Sequence, residues 1–186
     1  MQATALTGGF ADAPRDAARA FRAVMTAMAR PGDIWTVAGG MPPAPLSVAA
    51  GVTILTLCDP ETPLFLGVSH DTPEIRSWIG FHTGAPIVTA DQAMFAVGLW
   101  DSLPLDAFSL GTPQYPDRSA TLIVEVPVLE NSGAELRGPG IEDSALLSLP
   151  ETTAFQTNRQ HFPLGLDFFF TCGERLAGLP RSTRVS

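Results

Sequence analysis

Three consecutive residues, Ser69, His70 and Asp71, carry the groups of a hydrolytic relay: a hydroxyl, an imidazole and a carboxylate. Neighbours in sequence cannot in general pass a proton along one another in that way, because the relay needs each group to meet the next across space. The stretch therefore reads as a turn leading into a helix capped by Thr72. No GxSxG, HExxH, GxGxxG or phosphate-loop pattern occurs, so no catalytic residue is expected. All eleven basic residues are arginine and lysine is absent. That excludes a Schiff base to pyridoxal phosphate and a Walker-type phosphate lysine. Cys58 and Cys172 lie far apart in apolar surroundings without a companion ligand set. They are expected as reduced, buried thiols and not as a zinc site. Asp59, Glu61 and Asp167 stand in turns or at a strand end, where carboxylates take up backbone donors, and no metal site is expected.

Two segments have the chemistry to meet an anion. Arg137-Gly138-Pro139-Gly140 offers backbone N–H groups beside a guanidinium, although its ordinary reading is a tight turn between strands. His82, in Phe81-His82-Thr83-Gly84, falls at the end of a helix, where an imidazole caps the last carbonyls. A third concentration of positive charge is a stripe of Arg15, Arg19, Arg22 and Arg30 on one helix.

That helix is the plainest local signal. Over 16–30 the apolar residues Phe21, Val24, Met25 and Met28 recur at helical spacing and are expected to face the core. Pro14 suits its first turn and Pro31-Gly32 its end. Residues 33–38 and 64–68 read as short strands on either side of a buried helix at 46–58, which implies a layered α/β sheet. Thr72-Pro73-Glu74 starts a helix with Ile75, Trp78 and Ile79 inward, ending near Gly84. Strands are expected at 94–99 and 120–128, the second with Leu122, Val124, Val126 and Val128 on one face and either fraying or an edge position implied by Pro127. A short helix at 151–161 and a buried strand at 166–172 complete the pattern. One domain spanning 1–186 is expected, as a mixed β-sheet flanked by helices.

Composition limits the partners. With a net charge of -8, 45% hydrophobic and 16% charged residues, the chain should fold and should repel nucleic acid. The uncharged stretch 34–58 is broken by Gly39, Gly40, Pro42, Pro43 and Pro45, and the remaining run is too short to span a bilayer. No secretion signal is apparent at 1–10, so a cytoplasmic location is expected.

Ordered segments along nearly the whole chain carry a resemblance. They are 21–32 (FRAVMTAMARPG), 55–63 (LTLCDPETP), 81–86 (FHTGAP), Gly111-Thr112, 120–123 (ATLI), 138–141 (GPGI), 162–167 (FPLGLD), 171–176 (TCGERL) and 179–183 (LPRST). Together they resemble the PhnH family of the bacterial carbon-phosphorus lyase machinery. The resemblance implies a homodimeric subunit that acts with other core subunits, in a step where a phosphonate replaces the adenine of ATP to give a ribose 1-phosphonate 5-triphosphate. It also implies a fold similar to pyridoxal phosphate-dependent transferases, without the cofactor, and brings no catalytic residue with it. On that basis Arg22, His82, Arg137, Gly138, Gly140 and Arg181 are candidates to contact ATP or phosphonate. The alternative is a dimeric assembly scaffold with no ligand of its own.

Overall fold

The computed structural model describes residues 7–186, and the expectation for the first residues lies largely outside them. Among the described residues four α-helices, α1 (Ala13–Ala29), α2 (Val48–Leu57), α3 (Pro73–His82) and α4 (Thr153–Gln160), are joined to nine strands. Six of these strands, β1 (Trp35–Thr36), β2 (Leu64–Leu66), β3 (Phe95–Leu99), β4 (Thr121–Glu125), β7 (Asp167–Cys172) and β8 (Arg175–Leu179), form a sheet in the order β1-β8-β7-β4-β3-β2. From β2 to β7 neighbouring strands run parallel, while β8 and β1 are antiparallel additions. The expected mixed α/β sheet is therefore present.

Alternation along the strands divides the interior into two clusters. Val97, Ile123, Phe169 and Leu176 point to one face, where they pack with Val24, Ile54, Ile75, Trp78 and Ile79 from α1, α2 and α3. Leu122, Val124, Phe168 and Phe170 point to the other. That second face is covered by Phe155 of α4 and by a small antiparallel sheet of β5 (Ala134–Arg137), β6 (Ala145–Leu147) and β9 (Arg184–Val185). The turn between strands expected at 137–140 is the β5–β6 connection, but the sequence pattern does not delimit the strands themselves, because runs of two to four residues are too short to display a period.

Several expectations need correction. In α1 the residues turned inward are Ala20, Val24 and Ala27, whereas Phe21 and Met25 are about half exposed. The cause is the close approach of α1 to β8. A Cβ on Gly178 would lie 2.6 Å from the Ala27 carbonyl oxygen and 2.8 Å from Met28 Cα, so only small residues fit there and the larger ones rotate outward. β4 is no edge strand, since it pairs with β3 and β7 along its length. It ends at Glu125, which leaves Pro127 beyond the ladder and Val128 half exposed. Cys58 is buried, and burial pushes its thiol up to about 12. Cys172 is only partly buried and donates weakly to the Pro127 carbonyl at 3.5 Å. The α3 reading holds in detail: Thr72 Oγ1 accepts from Ile75 N, Pro73 opens the helix, and Ile75, Trp78 and Ile79 are buried.

Candidate functional site at the carboxyl ends of the parallel strands

In an open parallel sheet the strand ends leave side chains and backbone groups facing a common crevice, and ligands bind there. Here β2 runs into Gly67-Val68-Ser69-His70, β3 into Trp100-Asp101-Ser102, and β4 ends on Glu125 itself. A cavity of about 670 Å³ opens between these ends, within the range that takes small ligands. Its walls include Pro45, Leu99, Trp100, Val126, Pro127 and Pro150, and its polar groups come from Ser69, His70, Asp101 and Glu125.

Two glycines make the arrangement possible. A Cβ on Gly67 or Gly98 would lie 2.5 or 2.6 Å from Ser102 Oγ, so only glycine lets that hydroxyl nest against both strands. Ser102 Oγ donates to the Leu99 carbonyl at 2.8 Å. Ser69 Oγ accepts from Leu99 N at 3.0 Å and lies 2.8 Å from both Ser102 Oγ and His70 Nδ1. When Ser69 Oγ donates to Nδ1, the imidazole proton lies on Nε2, which looks toward a carboxylate. That nitrogen lies 3.9 Å from Glu125 Oε1 with the Pro45 carbonyl alongside, and makes no hydrogen bond of normal geometry. His70 is only 2% exposed.

Glu125, 8% exposed, is held from the helical side of the sheet. Its Oε1 accepts from Ser47 N at 2.6 Å and its Oε2 from Thr171 Oγ1 at 3.0 Å. Ser47 in turn caps α2, its hydroxyl accepting from Ala50 N. Burial raises the Glu125 carboxyl above its usual range, against the partial lowering by Ser47 and Thr171. Burial also lowers His70, against the partial raising by the Pro45 carbonyl. Both shifts favour neutral forms. A serine, a histidine and a carboxylate thus do meet, but the carboxylate comes from the end of β4, across from the turn after β2, and is not Asp71. Asp71 instead forms an ion pair with Arg76 at the surface. At 3.9 Å the imidazole–carboxylate distance is too long for the hydrogen bond of a hydrolytic relay. Holding a polar ligand, or exchanging a proton with one, is the chemistry this geometry supports.

The sequence-derived anion candidates lie elsewhere, and no hydrogen bond or ion pair joins any two of them among the described residues. Arg22 is exposed on α1. His82 is packed against Trp78 and Phe81 at ring distances of 5.1 and 4.9 Å, with Nε2 3.2 Å from the Thr7 carbonyl. Arg137 is paired with Glu135 at 2.7 Å. Gly138 and Gly140 both have positive φ in the turn from β5 to β6. A Cβ on Gly140 would lie 2.0 Å from the Ala29 carbonyl oxygen, so the turn packs on the end of α1. Arg181 is committed to Asp167, the Pro116 carbonyl and Ser119. The signal for the site that was missed is Glu125, a carboxylate closing an apolar strand run. It becomes meaningful only when the parallel pairing brings it beside the turn after β2.

Comparison with known proteins agrees with the resemblance noted above. A protein of Rhizobium meliloti (strain 1021), "Alpha-D-ribose 1-methylphosphonate 5-triphosphate synthase subunit PhnH", is 40% identical over 194 residues, covering 99% of this chain and 97% of that protein. A "Putative C-P lyase subunit protein HtxG" of Stutzerimonas stutzeri is 27% identical, covering 96% of this chain and 95% of that protein. Residues 8–186 match the family described as "Bacterial phosphonate metabolism protein (PhnH)". With that match running through the strand-end cavity and both of its covering layers, the chain belongs to the PhnH family.

Proposed function

We propose that this chain is a subunit of the carbon-phosphorus lyase system of phosphonate catabolism, contributing to synthesis of α-D-ribose 1-methylphosphonate 5-triphosphate, the step in which a phosphonate replaces the adenine of ATP. The observation that carries the reading is the 40% identity, over 99% of this chain, to the R. meliloti protein named as a subunit of that synthase. The S. stutzeri relative, named as a carbon-phosphorus lyase subunit, points the same way. In this reading the chain is one domain, works in the cytoplasm, and acts as a transferase component only within the assembly. Its likeness to pyridoxal phosphate-dependent transferases is part of the same proposal. With no lysine in the chain, no Schiff base to that cofactor forms here.

Association is supported by α1, whose outer face carries Phe21 and Met25 at half exposure with the exposed Arg22 between them. Aromatic residues, methionine and arginine are enriched where protein surfaces meet. We assign this face to the homodimer or to a partner subunit, with Arg22 and Arg137 as surface cations for an anionic ligand or partner. A buried imidazole beside a cavity, with Nε2 making no hydrogen bond of normal geometry among the described residues, favours a ligand-holding role over a bare scaffold.

Sedimentation at micromolar concentration, alone and with partner subunits, tests the reading. The expected result is a dimer of the 19.7 kDa chain that joins a larger assembly. A monomer unchanged by the partners would overturn it.

A further inference from the structure

The cavity between the strand ends has a charge character opposite to that of a phosphate site. Among the described residues its lining holds two carboxylates, Glu125 and Asp101, and no arginine. Its imidazole is kept neutral by burial. An anion entering would meet acceptors and no cation, so the phosphate-bearing end of any ligand is excluded. The apolar part of the wall is wide and rigid. Trp100 is fixed by a hydrogen bond from Nε1 to Glu151 Oε1 at 3.2 Å and by ring contact with Phe155 at 5.0 Å. Pro127 and Pro150 add surfaces that lose no rotamer freedom on contact.

Beside this wall stand one donor and one acceptor. His70 Nε2, which carries the imidazole proton when Ser69 Oγ donates to Nδ1, has the Pro45 carbonyl alongside but no hydrogen bond of normal geometry among the described residues, and lies 3.9 Å from Glu125 Oε1, which has lone-pair capacity beyond the Ser47 bond. That pair matches a flat ring edge in which an amino N–H stands next to a ring nitrogen.

We propose that this cavity binds an uncharged aminated heterocycle of the nucleobase class, its amino group donating to Glu125 and its ring nitrogen accepting from His70. Trp100 and the prolines cover its faces. The inference rests on the cavity and stands apart from the proposed place in phosphonate metabolism.

Ligand-observed NMR on the full chain, with adenine and cytosine as probes and inorganic phosphate and methylphosphonate as competitors, tests it. Adenine or cytosine should bind, neither anion should displace it, and Glu125→Gln should weaken binding about tenfold or more, the scale of a hydrogen bond to a charged group. Asp101→Ala, at the exposed rim, should weaken it by a smaller factor and keeps the test valid if the Glu125 variant folds poorly. Displacement by phosphate, or binding indifferent to both variants, would overturn the proposal. So would no base binding at about 10 mM, the range where affinity becomes negligible, in the chain alone and in its assembly. A chain that joins the partner subunits but ignores the bases defeats this inference alone, whereas one that binds bases but joins no assembly defeats the proposed function alone.

Discussion

Replacing Glu125 separates the two things that hold it in place. Glu125→Ala removes the acceptor for Ser47 N and for the Thr171 hydroxyl. Thr171 can turn to the Val124 carbonyl, already 3.4 Å away, but the Ser47 N–H at the start of α2 has no substitute. An orphaned buried donor costs about 1–3 kcal/mol, and the lost side-chain volume adds to this, so a loss of about 2–4 kcal/mol is expected. Glu125→Gln keeps a carbonyl for Ser47 N and places an amide N–H beside Thr171, so at neutral pH it should cost below about 1 kcal/mol. Both variants also differ from the wild type in pH dependence. Burial raises the Glu125 carboxyl above its ordinary 4.5, so the folded state holds this proton more tightly than the unfolded state. Stability therefore increases as pH falls from the folded value toward 4.5, and above the folded value the cost of the buried charge is fully present. Glutamine carries no such proton, so it should gain on the wild type as pH rises from 4.5. Urea denaturation of wild type and both variants at several pH values between 4.5 and 8 measures this, and taking differences removes contributions from other groups. Parallel wild-type and glutamine profiles, or equal losses for alanine and glutamine, would refute the reasoning.

Gly178→Ala would bring a Cβ to 2.6 Å from the Ala27 carbonyl oxygen and should cost about 1–3 kcal/mol as α1 is pushed off β8. Gly80→Ala, at an exposed position of α3 with nothing within 4 Å of its Cβ, should instead stabilise by about 0.4–1 kcal/mol. Both are read by urea denaturation. Arg181→Ala, which strands the Asp167 carboxylate, should cost about 2–4 kcal/mol, with Arg181→Lys intermediate because an ammonium cannot reproduce the fork. A Phe21→Glu, Met25→Glu double variant should leave the melting temperature nearly unchanged and shift sedimentation toward monomer; an unchanged dimer would move the interface elsewhere.

Much of the fold was legible because long apolar periods and strong caps act locally. Thr72-Pro73 announces α3, and the run of Phe168, Phe169 and Phe170 announces a central strand. What failed depended on tertiary contact. The facing of α1 is set by Gly178, about 150 residues away, and no helical period in 16–30 contains that information. Pro127 signals either a frayed end or an edge, and only the pairing decides: β4 is flanked on both sides and its ladder stops at Glu125, two residues before the proline. The site was the least legible part. Ser69-His70 was visible, but its carboxylate partner is 55 positions further on and reaches it only through the parallel pairing of β2, β3 and β4. The arginine candidates were chosen for charge alone. At Arg181 that charge is already met by Asp167.

The central claim, that the chain is a working subunit of the synthase, is tested most directly by leaving it out. Partner subunits supplied with ATP and methylphosphonate would be assayed for α-D-ribose 1-methylphosphonate 5-triphosphate with and without this chain. Product is expected only, or far faster, when the chain is present, and none from the chain alone. Equal product formation in its absence would contradict it.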